Sequence, residues 1–253
     1  MDTPTLSTMV VLYNTNLKFD TNIIMSDLPL EGSIIKVEKR GVARRGESKR
    51  DQIKRRAKKD GSTTSTTGFC HNSITIVVLS KGDGTLPEKE VTIKIFQNGV
   101  FHLTGILHEK YDTCSMTLLL DTLWNKCKHS ILECPENYEI LRRRVVLMNY
   151  TTKLSSNQTV AREALYNNIR NLNREDITCA YDPDVYPGVK IRIGPKNWTA
   201  KVFRTGKIIL TGITDEEETS EFITQLLHLF ASVLPQAQGS RTQTVLPAQL
   251  PVQ

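Results

Sequence analysis

The chain contains an internal repeat. Residues 94–105 read KIFQNGVFHLTG and residues 201–212 read KVFRTGKIILTG. Six identities keep one offset of 107: Lys94 with Lys201, Phe96 with Phe203, Gly99 with Gly206, Leu103 with Leu210, Thr104 with Thr211 and Gly105 with Gly212. A repeat of this kind limits the fold more than composition does, because each copy must be the same supersecondary unit. Upstream, VVLYNTNLKF at 10–19 matches VVLMNYTTKL at 145–154 in five positions at an offset of 135. The offsets differ by 28, as expected if one duplicated unit has gained that many residues in its first copy. Part of the surplus is a longer hairpin, Lys81 to Pro87 against Gly194 to Asn197.

Periodicity within each copy is strand-like and then helical. Ile93, Ile95, Phe101 and Leu103 alternate with Lys94, Phe96, His102 and Thr104 around Asn98-Gly99, the pattern of a hairpin with one buried face. Ala200, Val202, Ile208 and Leu210 repeat it against Lys201, Phe203, Ile209 and Thr211. Helices are expected over Asp20 to Leu28, Asp112 to Trp124, Asn157 to Leu172 and Asp215 to Leu234. Further strands are expected over Thr8 to Thr15, Ser73 to Leu79, Arg143 to Thr151 and Val185 to Ile193. The fold class is therefore α+β: two pseudo-repeats, residues 6–130 and 141–235, each an antiparallel sheet with helices on one face. That leaves Phe96 and Phe203 projecting from the helix-free side. A single exposed Phe is ordinary, but the same Phe beside the same Lys and Thr in both copies favours a binding surface.

The net charge of +6 is concentrated in one segment. Residues 36–60 hold 12 Lys or Arg against 4 Asp or Glu, a local +8, so the rest of the chain sums to −2. This stretch runs into Gly61 to Gly68, rich in Ser and Thr, and residues 36–68 read as a disordered basic insertion able to bind polyanions without sequence preference. It also reads as a nuclear localisation signal. The tail 236–253 lacks apolar periodicity and is expected to be disordered.

Other classes are disfavoured. Five cysteines form no C-x-x-C pair, and Cys127, His129 and Cys134 match no common ligand spacing, so buried thiols are expected and no metal or cofactor is implied. Apolar runs are too short to span a membrane, and the N-terminus lacks a signal-peptide layout. There is no Gly-rich phosphate loop, H-E-x-x-H or G-x-S-x-G, which argues against an enzyme.

The two hairpins resemble the F-x-x-G-K-x-x-x-T-G signature in each half of the TATA-box-binding protein family, and Tyr181 to Gly188 resembles its Y-x-P-E-L-F-P-G segment. The likeness covers roughly residues 6–235 and is closer still to divergent members of the family from large DNA viruses. It implies a saddle-shaped antiparallel sheet with helices on the convex face, set as a monomer on the opened minor groove of A/T-rich double-stranded promoter DNA. The helices would then meet a transcription factor IIB-like protein and RNA polymerase. The resemblance makes Phe69, Phe96, Tyr186 and Phe203 the wedges that unstack base steps. The Phe69 register rests on Ile74 and Ile76 following it by the same steps as Ile191 and Ile193 follow Tyr186. Thr104 and Thr211 correspond to threonines at base edges, Val10 and Val145 to valines of the opening strands, and Arg192 to a phosphate contact. Ile209 lies on the same groove face. Such a factor would work inside the cell, in a host nucleus or a cytoplasmic viral factory, or travel in a virion.

The departures alter the expected chemistry. The family places an Asn on each opening strand, where this chain has Thr8 and Arg143. Lys94 and Lys201 replace Leu beside the wedges, and His102 replaces a groove-floor Val. A cationic floor discriminates A·T pairs less well than an apolar one. The rival reading is a saddle-fold adaptor within a transcription complex that bends DNA weakly or not at all.

Overall fold

Alternating burial explains which segments become strands. In β5 (Lys89–Phe96), Val91, Ile93 and Ile95 are buried while Thr92, Lys94 and Phe96 are not; in β6 (Val100–Ile106), Phe101, Leu103 and Ile106 are buried between more open neighbours. Each fully buried Ile or Leu contributes about 1.5–3 kcal/mol, so a one-residue slip, which would turn the whole set to solvent, is strongly disfavoured.

The computed structural model describes residues 1–53, 72–133, 135–154 and 159–238. Their contacts fall into two units, one of Leu6–Tyr150 with Ile213–Asp215, the other of Met1–Thr5, Thr151–Gly212 and the chain from Glu216. The first contains β1 (Thr5–Thr15), α1 (Thr21–Asp27), β2 (Ile34–Lys39), β3 (Ala43–Gly46), β4 (Ser73–Ser80), β5, β6, α2 (Glu109–Lys126) and β7 (Ile140–Lys153). Its strand order is β3-β2-β4-β5-β6-β1-β7. Helix α2 packs on β4, β5 and β6, and α1 on β2 and β4. The core between them holds Met116, Leu119, Leu120 and Leu123 against the odd-numbered side chains of β5, with Phe19 edge-on to Phe101 at 5.6 Å.

The second unit contains α3 (Arg162–Asn171), β8 (Ile177–Asp182), β9 (Tyr186–Ile193), β10 (Thr199–Val202), β11 (Lys207–Ile213) and α4 (Glu216–Gln238), with strand order β11-β10-β9-β8. Helix α3 packs on β8, β9 and α4. Leu165 and Ile169 of α3, Phe222, Leu226 and Phe230 of α4, and Val189, Ile191, Ala200, Val202, Ile208 and Leu210 of the strands are buried. Trp198 stacks on Phe222 at 5.3 Å.

The duplication extends to main-chain hydrogen bonds. Gly99 N donates to Phe96 O at 3.1 Å and Gly206 N to Phe203 O at 3.0 Å, closing the two hairpins alike. Gly99 has φ +79°, and a Cβ there would stand 2.0 Å from Leu17 O, so only glycine fits. The carbonyls of Gln97 and Arg204 accept from Phe19 N and Val160 N, each at 2.9 Å.

Three expectations change. Much of the basic insertion is folded: Ile34–Lys39 pairs with β4, Ala43–Gly46 pairs with Ile34–Lys39, and a 3-10 turn follows at Lys49–Gln52. Its cations have structural partners, since Lys39 Nζ donates to Thr21 Oγ1 at 2.9 Å and Asn22 Oδ1 at 2.6 Å. Arg45 donates to Met25 O at 2.9 Å and Leu28 O at 2.8 Å, satisfying carbonyls left open at the end of α1. Charge density alone suggested a solvated loop because these partners are distant in sequence. The rest of the expected insertion lies outside the described residues. Strand β8 was not anticipated, because its half-exposed edge alternation is weak. Helix α4 runs on to Gln238, past the expected start of the tail.

One polar network lies inside the first unit. Asp112 on α2 is fully buried, accepting from Tyr13 Oη at 2.7 Å and from Arg143 Nε and Nη2 at 2.7 and 3.2 Å. Burial, and then the hydrogen bond to Asp112, hold the Tyr13 phenol far above its usual range, while the Asp112 carboxylate raises Arg143 further. Asp112→Ala would leave a half-buried guanidinium and a buried hydroxyl unmatched. It should lower unfolding stability by about 3 kcal/mol in urea titrations, whereas a change under about 1 kcal/mol would mean that the network contributes little.

Candidate nucleic-acid interface

The second unit presents an ordered open face. On β9, Tyr186, Gly188, Lys190 and Arg192 alternate with Val189, Ile191 and Ile193, which are buried on the helix side. Antiparallel register then builds transverse rows. Ala180, Lys190, Lys201 and Ile209 lie side by side across β8, β9, β10 and β11, and Thr178, Arg192, Thr199 and Thr211 form the next row. Neither row contains a carboxylate.

Two features mark this face, a like-charged pair and a pair of aromatic rings. Lys190 and Lys201 are direct cross-strand partners, and like charges so placed repel. Both ammonium groups lean over the Tyr186 ring, at 5.0 and 5.9 Å from its centroid, which offsets part of that repulsion. The Tyr186 and Phe203 rings are 5.9 Å apart and tilted by 60°. Gly188 lies beneath both; a Cβ there would stand 2.9 Å from Tyr186 Cε1 and 3.3 Å from Phe203 Cε1. Its role is to leave room for the rings.

Beside Phe203 is a recess of about 350 Å³ whose lining includes Arg162, Arg204 and Lys207. Arg162, the first residue of α3, donates to Pro187 O and covers the Tyr181 ring at 5.5 Å. None of the three cations forms an ion pair among the described residues. Arg162, Arg204 and Lys207 were missed in the sequence. The signal was present in the second hairpin tip, Arg204-Thr205-Gly206-Lys207, against Gln97-Asn98-Gly99-Val100 in the first.

The first unit presents comparable rows with different charges. Glu38, Thr75, Lys94, His102 and Leu12 are successive register partners, and Lys36, Val77, Thr92 and Thr104 form the neighbouring row. Phe96 follows Lys94 on the same side and is half-buried. Burial and then the nearby Lys94 push the His102 imidazole below its usual value, favouring the neutral ring. Thr104 Oγ1 donates to Thr92 O at 3.5 Å. On β1, Thr8 and Val10 are partly exposed and alternate with buried Met9 and Val11.

Two expected residues do not fit their assigned positions, and a third falls outside the description. Arg143 is held by buried Asp112 of α2, so the structure gives it a partner inside the first unit in place of an open groove position. The repeat alignment that placed it, with Val145, was four residues out of step. Gly99 O accepts from Thr15 N at 3.1 Å, and Gly206 O accepts from Leu154 N at 2.9 Å. This makes Thr15 and Leu154, 139 positions apart, the matching residues. Leu147 and Asn149 therefore correspond to Thr8 and Val10. Asn149 alternates with buried Met148 and Tyr150, and its side-chain oxygen is buried without a hydrogen-bond partner. Both offsets are odd, so face parity gave no warning of the slip. Phe69 lies outside the described residues. Its register argument also shifts, because Ile74 and Ile76 pair with Ile95 and Ile93 as Val189 and Ile191 pair with Val202 and Ala200.

Cys127 is buried, as expected, with its thiol pushed up by burial. Among the described residues no cluster could hold a metal ion, and no helix is long and apolar enough to cross a membrane.

Comparison with known proteins is consistent with this geometry. Residues 160–233 match the family model described as transcription factor TFIID, or TATA-binding protein. TATA-box-binding protein 2 of Entamoeba histolytica is 49% identical over 39 residues, 15% of this chain and 18% of that protein. The chain thus spans less than a fifth of that relative in the matched stretch. The TATA-box-binding protein of Picrophilus torridus is 24% identical over 54% of this chain and 67% of its own length. The solved Methanococcus jannaschii TBP superimposes with a TM-score of 0.53 at 16% identity, over 92% of this chain and 100% of its own. The fold is the TATA-binding-protein fold, and residues 160–233 carry that family's sequence pattern.

Gly188→Ala should force the Tyr186 and Phe203 rings apart, cost about 1 kcal/mol of stability and alter the near-ultraviolet tyrosine dichroism. An unchanged spectrum would show that the rings do not rest on this residue.

Proposed function

We propose that this chain is a non-enzymatic, DNA-binding transcription initiation factor that engages promoter duplex through the minor groove and bends it. The observation that carries the reading is the open face of the second unit. A paired Tyr186 and Phe203 stand there beside Lys190, Lys201 and Arg192, with no carboxylate in the two rows. Aromatic rings inserted at a base step need phosphate contacts to hold the opened duplex, and the adjacent Lys190 and Lys201 gain most when a polyanion arrives. Arg162, Arg204 and Lys207 extend the cationic zone past the ring pair. Thr211 and Ile209 supply side chains for base edges in the second unit, and Phe96 with Lys94, His102 and Thr104 repeats the scheme in the first. Sequence discrimination should be modest, because cations on the floor favour phosphate over the pattern of base-edge acceptors. Helices on the opposite face would meet a IIB-like factor and RNA polymerase, in a nucleus or a viral factory.

Titration of a TATA duplex and a scrambled duplex across a salt series tests this. Both should bind, with affinity falling steeply as salt rises. Lys190→Ala and Lys201→Ala should each lower the salt slope by about 1. Phe203→Ala should weaken binding about tenfold on both duplexes and reduce bending measured by fluorescence transfer between the DNA ends. Strong TATA discrimination with a shallow slope would remove the argument from the cationic floor. Absence of duplex binding would leave the adaptor reading.

A further inference from the structure

The first unit has a departure that the second lacks. Val77 and Lys36 lie on the side of the strands away from α1 and α2, in one row with Thr92 and Thr104, yet each is only 4% exposed. By register Val77 corresponds to Arg192, which is exposed on the second unit's open face. Among the described residues no α-helix lies on that side of Val77. The segment from Ser48 to Gln52, which follows β3, borders this row: Ser48, Lys49, Arg50 and Asp51 line one recess with Lys36, Val77 and Thr92.

Polar contacts hold that segment. Asp51 Oδ1 accepts from Lys36 Nζ at 2.7 Å, and Lys49 N donates to Glu90 Oε1 at 2.8 Å on the same side of β5. The turn is closed on itself by a capping box, with Ser48 N and Oγ donating to Asp51 Oδ2 at 2.8 and 2.9 Å. None of Lys49–Gln52 is buried, so the segment adds no apolar side chain to a core. Between the turn and the strands is a recess of about 600 Å³, bordered by Thr92, Lys94 and Gly105. Asp51 satisfies Lys36 as a phosphate would, and Glu90 lies next to the Thr92 row on the same strand.

We propose that Ser48–Gln52 is a cover supplied in cis, which occupies part of the first unit's DNA face and must lift off when duplex binds. The inference rests on the DNA-binding reading above. It assigns the carboxylates Asp51 and Glu90 an inhibitory role, holding the place of phosphates until DNA displaces them. A few ionic and hydrogen-bonded contacts, with none of Lys49–Gln52 buried, suit a displaceable element, whereas apolar packing would not release at comparable cost.

Two measurements on the full chain test the cover. In hydrogen exchange, the amides of Ser48, Lys49 and Asp51 should be protected in the free protein and exchange faster once duplex is added. Asp51→Asn should bind duplex about fivefold more tightly than the parent chain. Glu90→Gln, which loosens only the Lys49 anchor and leaves Lys36 paired, should shift binding in the same direction if Asp51→Asn fails to fold. Greater protection of the turn with DNA, or weaker or unchanged binding by both variants, would overturn the cover while leaving the DNA reading intact. If neither parent nor variants bind duplex, the DNA reading fails and the cover fails with it.

Discussion

The period of two along an antiparallel strand is the constraint on which the rest of this structure depends. Helices bury one side of each set of strands, so every apolar residue committed to that side sends its neighbours to the other. Ile93 and Ile95 beneath α2 put Lys94 and Phe96 on the open side; Val189 and Ile191 on the buried side do the same for Lys190 and Arg192. The open face is thus the complement of the core. A conservative change in the core preserves it, and a register slip would abolish it.

Electrostatics distinguish the two copies of one backbone plan. The second unit's rows are cationic and include Lys190 opposite Lys201, a like-charge contact that the Tyr186 ring offsets only in part. The first unit's face mixes Lys36 and Lys94 with Glu38 and Glu90 and receives Asp51 from the inserted turn. The inserted turn adds Lys49, Arg50 and Asp51 to that side, so the first unit's face carries both signs where the second unit's two rows are cationic.

The basic segment shows why a charge count is a poor guide to structure. Lys36, Lys39 and Arg45 look alike in the sequence, yet one pairs with Glu38 and Asp51, one donates to Thr21 and Asn22, and one satisfies the last carbonyls of α1. Apart from Glu38, the groups that hold them lie 15 to 20 positions away in the chain, and a buried cation without such groups would be expensive. Arg143 follows the same pattern. The Val-Val-Leu run beside it suggests a groove position, but the hydrogen-bonded match between the copies is four residues further on, and Arg143 lies against Asp112.

Local pattern was sufficient for the duplication, the two hairpins, the four helices and the side on which Phe96, Phe203, Lys94 and Lys201 lie. These depend on short-range alternation, helical spacing and Gly99 and Gly206, all of which act between residues close together in the chain. Tertiary structure alone decided the pairing of Arg143 with Asp112, the alignment of Asn149 with Val10, the Lys190–Lys201 contact, the folding of Ile34–Gly46 as strands and the turn that covers Val77. Those outcomes depend on which distant strands become neighbours and in what register. Odd offsets of 135 and 139 preserve the same alternation, so only the hydrogen bonds between strands could separate them.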